Sequence, residues 1–133
     1  AFTGAVSTAE LQAALAAGRT RLIDARAADR FAGRNETIDP VAGHVPGAVN
    51  HPFTENLADG RMRSPADLRA RWTATLAGSE PADTIVMCGS GVTACHDLVA
   101  LEQAGFDGAR LYAGSWSEWI RDPQRPVATG ASG

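Results

Sequence analysis

Apolar positions along the chain fall into short consecutive runs that alternate with stretches of helical spacing. Leu22-Ile23-Asp24, Ala48-Val49-Asn50, Thr84-Ile85-Val86-Met87 and Arg110-Leu111-Tyr112 read as short strands, the first of them buried and the third apolar. Ser7 predicts the cap of a first helix. Glu10, three residues on, is placed to close a capping box, Leu11, Ala14 and Leu15 share one face, and Gly18 ends the helix. Ser64 and Pro65 start another helix that carries Leu68, Trp72 and Leu76 and closes at Gly78. A further helical pattern continues through Leu98, Val99 and Leu101. Ala25 to Phe31 reads as a turn or short helix, and Ser115 to Ile120 as one or two helical turns. Between Gly33 and Pro46, polar residues, glycine and proline predict a surface loop. Strands alternating with helices predict an α/β domain with a mainly parallel sheet. In such sheets ligands gather at the carboxyl ends of the strands, which places Cys88, Arg26 and Arg30 together.

At 133 residues, 44% of them hydrophobic, the chain supplies one core, so a single domain is expected over residues 1–127, with 128–133 as a flexible tail. A net charge of −3 argues against general nucleic-acid binding, which needs a basic face. No apolar stretch reaches the length of a membrane span and no signal peptide is visible, so a soluble cytoplasmic protein is expected. Every basic position is arginine. The chain opens on Ala1 and moves almost directly into a helix cap, which suggests a fragment of a longer protein.

Two cysteines, Cys88 and Cys95, make neither a disulfide framework nor a Cys-x-x-Cys pair, and a reducing compartment suits them. Cys88 joins the Thr84–Met87 strand to a helix through Gly89, Ser90, Gly91, Val92 and Thr93. Amides converging on its sulfur, with a helix N-terminus behind, favour the thiolate and make Cys88 a candidate nucleophile. The same amides would stabilise negative charge on sulfur in the transition state, with Gly89 and Gly91 permitting the tight backbone. Cys95 reads as a small core residue and His96 as a helix-surface residue. His44, in a Gly-rich turn, reads as structural; Trp116 and Trp119, on one face of a short helix, read as core or lid residues placed to pack against the cysteine loop, and Trp72 as a core or lid residue too. Cys88, Cys95 and His96 lack the spacing and fourth ligand of a zinc site. No metal or cofactor is called for.

Four blocks carry a family resemblance: Asp24-Ala25-Arg26 with Arg30-Phe31; Gly43-His44-Val45-Pro46-Gly47-Ala48; Cys88 through Ala94; and Tyr112 through Trp119. Together they resemble the rhodanese-like sulfurtransferases, in particular the catalytic C-terminal half of tandem-domain enzymes. The resemblance implies a three-layer α/β domain, a mainly parallel central sheet flanked by helices, preceded by an upstream domain of the same kind that this chain lacks. It implies that Cys88 takes a sulfane sulfur as a persulfide and passes it to cyanide, a thiol or thioredoxin. Arg30 and the loop Gly89, Ser90, Gly91, Val92 and Thr93 would bind a small anionic donor, with Asp24 and Arg26 in support. The uncharged loop looks like that of 3-mercaptopyruvate enzymes, since thiosulfate enzymes carry charged residues just after the cysteine; thiosulfate is the alternative donor. Mercaptopyruvate enzymes usually carry a second substrate arginine before the Gly-His motif. Here Glu36-Thr37-Ile38-Asp39-Pro40 has none, and Arg34 serves only if the loop folds back.

Cysteine phosphatases and arsenate reductases also cradle a thiolate between strand and helix, but they need an arginine six residues after the cysteine. Ala94 stands there. A non-catalytic binding module of the same family would lack the loop cysteine.

Overall fold

The computed structural model describes residues 4–89 and 92–131, so Ser90 and Gly91 lie outside the described residues, as does the side chain of Val92. Four parallel strands form the central sheet: β1 (Arg21–Asp24), β2 (Val49–Asn50), β5 (Thr84–Met87) and β6 (Arg110–Leu111), in the order β2-β1-β5-β6. Their side chains alternate between faces. Ile23, Ala25, Val86 and Cys88 meet α3 (Pro65–Leu76) and α4 (Val92–Gln103) through Leu68, Trp72, Leu98 and Leu101. Leu22, Ile85 and Met87 face the other way, onto Leu11 of α1 (Thr8–Ala17), Phe31 of α2 (Ala28–Ala32) and Trp116 and Trp119 of α5 (Ser115–Trp119). Both faces of the sheet are covered, which produces the expected three layers.

The local signals act as read. Ser7 and Glu10 form the reciprocal capping box of α1, with Gly18 left-handed at its end. The Ser64 hydroxyl accepts from the Asp67 amide above Pro65. The α3 helix ends one residue earlier than expected, on Ala77 itself in the left-handed region (φ 50). A small antiparallel hairpin, β3 (Leu57–Ala58) with β4 (Arg61–Met62), escapes sequence reasoning because two-residue strands carry no periodicity.

Two expectations are corrected. The segment from Ala128 is not a loose tail through its whole length. Ala128 and His44 exchange two backbone hydrogen bonds of 2.9 Å each, and the Gly130 amide donates to Ala32. Gly43 makes this possible: at φ +120 it takes a conformation other residues rarely adopt, and a Cβ there would run into the Ala128 carbonyl. Cys95 is exposed rather than in the core. Ala94, Asp97, Leu98 and Leu101 form the inward face of α4, and Cys95 shares the outward face with Val99 and Glu102.

Candidate active site

Register places the site. Asp24 pairs with Met87 across β1 and β5, and the Ala25 amide donates to the Met87 carbonyl at 2.8 Å. The segments leaving both strands therefore run side by side, Asp24-Ala25-Arg26 next to Met87-Cys88-Gly89. Cys88 is buried, at 1% exposure.

Arg26 is tied down on several sides. Its Nε and Nη2 donate to the Asp24 carboxylate, Nη2 at 2.9 Å, and Nη2 also donates to the Gly43 carbonyl at 2.7 Å. Its guanidinium lies over the Trp116 ring, 4.9 Å from the centroid. With Arg26 and Asp24 both buried, this pair ties the exit of β1 to the Gly43 carbonyl and the Trp116 ring rather than meeting solvent.

Arg30, on α2, is the more exposed arginine at 20% of its side chain. A Cβ placed on Gly89 would lie 3.5 and 3.6 Å from its two Nη atoms, so the guanidinium stands directly against the cysteine loop. The structure thus brings Cys88, Gly89, Arg30, Arg26 and Asp24 together. Thr93 sits half-buried in the first turn of α4. Arg34 is exposed, with its backbone tied to Asp29.

Where a second arginine is missing, two carboxylates approach Arg30. Asp39 Oδ2 accepts from Nη2 at 2.9 Å, and Glu36 Oε2 lies 3.3 Å from Nε. Glu36 also accepts from the amides of Ile38 and Asp39. Burial opposes its charge, but these two amides and Arg30 prevail and hold its carboxyl below the ordinary glutamate value.

Residues 115–117 brace the cysteine loop; packing of this short helix against the loop was legible in the sequence, but the part of the Ser115 hydroxyl and of the two amides after it was not. The Cys88 amide donates to Ser115 Oγ at 3.1 Å, and that hydroxyl donates to the Tyr112 carbonyl at 2.8 Å. The amides of Trp116 and Ser117 donate to the carbonyls of Cys88 and Gly89, both at 2.9 Å. The Cys88 amide is therefore engaged elsewhere than at its sulfur. The sole local signal was the Tyr112–Trp119 block itself. Trp116 and Trp119 are core residues, with indole nitrogens donating to Val41 and Pro126 carbonyls.

His44 is structural: buried, stacked on Phe31 at 3.8 Å, its Nδ1 2.7 Å from the Phe31 carbonyl. His96 is half-buried, against Asn56 and the edge of Phe53. Beneath it lies a buried polar network the sequence did not announce. Asn56 donates to Asp97 at 2.8 Å and accepts from the Trp72 indole, while His51 stacks on Trp72 and reaches Asn56 and Thr75. Burial drives the Asp97 carboxyl well above its ordinary value, against the opposing Asn56 bond.

Burial lowers His51 to about 4. Its ordinary value in an unfolded chain is about 6.5. A histidine held neutral by folding contributes stability above its unfolded pKa that is lost as pH falls towards the folded one. Between pH 6.5 and 4, the wild-type chain is therefore expected to lose on the order of 2–3 kcal/mol more than His51→Gln. Urea unfolding of both proteins across this range checks it, and parallel pH profiles would refute it.

Among the described residues no cluster of His, Cys, Asp or Glu is arranged to hold a metal, and no helix is long and apolar enough to cross a membrane.

A buried cysteine closes a parallel strand, with an arginine against its loop, in a fold whose family comparison with known proteins identifies. Residues 7–122 match the model of the rhodanese-like domain, and the chain belongs to that family. It is 56% identical over 126 residues to a Pseudomonas aeruginosa protein named "Probable 3-mercaptopyruvate sulfurtransferase", covering 94% of this chain and 44% of that protein. It is 40% identical over 122 residues to the mouse thiosulfate sulfurtransferase, covering 86% of this chain and 40% of the enzyme. Among solved structures, the 3-mercaptopyruvate sulfurtransferase of Leishmania major is 35% identical with a TM-score of 0.68, over 79% of this chain and 31% of that one. The chain thus spans less than half the length of these relatives.

Proposed function

We propose that this domain catalyses sulfur transfer, from 3-mercaptopyruvate to a thiophilic acceptor such as cyanide, a thiol or thioredoxin, through a persulfide on Cys88. The observation that carries the reading is the Arg30 guanidinium standing against the loop of a buried, strand-terminal cysteine.

In the first half-reaction the Cys88 thiolate attacks the donor sulfur. A sulfur–sulfur bond forms and the donor's carbon–sulfur bond breaks, its electrons leaving on the carbon as the enolate of pyruvate, which takes up a proton. In the second, the acceptor attacks the outer sulfur and the Cys88 thiolate departs with the electrons of the sulfur–sulfur bond. Arg30 holds the donor's anionic end, and residues 115–117 keep the loop backbone in place. The chemistry needs a reduced thiol, in keeping with the cytoplasm. Thiosulfate is the second reading: there the donor's sulfur–sulfur bond breaks and sulfite leaves. An uncharged Gly89-Ser90-Gly91 segment favours the first, because thiosulfate puts two charges on a compact anion and gains more from a cation in the loop.

The test is kcat/KM for both donors with cyanide as acceptor. A higher value for thiosulfate would reverse the donor assignment, and activity with neither would remove the reading. Arg30→Ala is expected to lower kcat/KM for the preferred donor by about 2–4 kcal/mol, a loss on the order of a hundredfold, with Arg30→Lys in between because it keeps the charge without the planar fork. Wild-type kinetics for Arg30→Ala would take that residue out of the donor site.

A further inference from the structure

The arginine that faces the cysteine loop is already occupied. Asp39 reaches Arg30 Nη2 at 2.9 Å with 13% of its side chain exposed, and Glu36 flanks Nε at 3.3 Å. Glu36 also stands 3.8 Å from Nη1 of Arg26. Among the described residues three carboxylates, those of Asp24, Glu36 and Asp39, approach the two guanidiniums of Arg26 and Arg30 and balance their positive charge.

The three acids play different parts. Asp24 is buried and spent on Arg26. Glu36 folds its own loop, with Oε2 accepting from the Ile38 and Asp39 amides at 3.0 and 3.1 Å, and so delivers Asp39 to Arg30. Asp39 touches the Nη2 atom that also lies 3.5 Å from the position of a Gly89 Cβ. An anion arriving at Arg30 from the cysteine loop therefore meets the Asp39 carboxylate on the same nitrogen.

We propose that Asp39 is a specificity-determining residue, an internal counter-ion on Arg30 that disfavours dianionic donors relative to donors with a single carboxylate. The inference rests on Arg30 being the donor contact. Like-charge repulsion scales with the donor's charge, so a dianion such as thiosulfate pays about twice the penalty of a monocarboxylate such as 3-mercaptopyruvate. Discrimination then comes from a repulsive group built into the loop as well as from the attraction of Arg30.

The experiment measures KM and kcat of the chain for both donors, in wild type, Asp39→Asn, Arg30→Ala and the double variant. Asp39→Asn is expected to lower KM for thiosulfate about tenfold and for 3-mercaptopyruvate about threefold, with kcat within about twofold. In the Arg30→Ala background the shift between donors shrinks, because a donor no longer drawn to Arg30 sits farther from Asp39. A structural role would show the opposite sign, since a misplaced Arg30 raises KM for both donors. Equal changes for the two donors, or a rise in either KM, overturn the proposal. If Arg30→Ala is impaired and Asp39→Asn does not change the donor ratio, this inference alone fails; if Arg30→Ala behaves as wild type, the donor-site reading fails first. Asp39→Ser serves should Asp39→Asn not fold. Calorimetric titration of the Cys88→Ser protein with thiosulfate and with pyruvate reads the same discrimination without turnover, and an unchanged ratio of affinities on adding Asp39→Asn counts against it.

Discussion

Cys88→Ser is expected to abolish sulfur transfer with either donor, while leaving the fold intact. Cys88 is buried at the end of β5 among Ala94, Leu98 and Val86, and serine fits the same space with one fewer polarisable contact. An alcohol at that position is far less acidic than a thiol and forms no persulfide, so the loss is one of chemistry and not of binding. Intact-mass measurement separates the two: wild-type protein incubated with donor alone gains the mass of one sulfur, and acceptor removes it. Cys88→Ser gains none. Cys95→Ser serves as the control, because Cys95 lies on the outward face of α4 and its replacement is expected to leave turnover nearly unchanged. Turnover at the wild-type rate by Cys88→Ser would end the persulfide reading.

The largest expected effect on stability follows from Asp24. Its carboxylate is fully buried and takes the Nε and Nη2 of Arg26, which is itself 2% exposed. Asp24→Ala leaves the guanidinium between the Trp116 ring and the Gly43 carbonyl with only the Glu36 carboxylate, 3.8 Å from Nη1, as a more distant counter-charge. Breaking one side of a buried pair costs about 3–5 kcal/mol, because the remaining charge keeps its desolvation penalty. For a chain of this size that corresponds to a fall of roughly 10–20 °C in Tm. Asp24→Asn retains an acceptor for Arg26 and is expected to cost less. Calorimetry checks both, and a Tm within about 2 °C of wild type for Asp24→Ala would show that Arg26 finds other compensation. Since Arg26 joins the β1 exit to the Gly43 turn and to Trp116, Asp24→Ala is also expected to loosen the wall of the Cys88 site.

The sequence determined those parts of the molecule that depend on neighbours along the chain. The Ser7–Glu10 box, the Ser64–Pro65 start of α3 and the strand–loop–helix around Cys88 are all within a few residues' reach, and each local signal agrees with the fold that contains it. The family likewise was legible, because its four blocks keep their order and spacing. Helix faces were less so. Cys95 was assigned inward on its residue type, whereas the side of α4 that meets the sheet is set by Ala94, Leu98 and Leu101 packing on Val86 and Leu111.

Only the tertiary structure decided which charged groups meet. Ser115 receives the Cys88 amide from 27 residues away, and Asn56 joins Asp97 from 41 away. Such contacts follow from strand order and loop closure, which no window of sequence contains. The tail from Ala128 is held by the turn at Gly43, a partner its own composition does not reveal. Arg30 could be read as a cation near the site from its distance along the chain beyond Asp24. That it is shared between Asp39, Glu36 and the cysteine loop depends on a turn whose amides fold around one glutamate, and so on three-dimensional proximity rather than residue type.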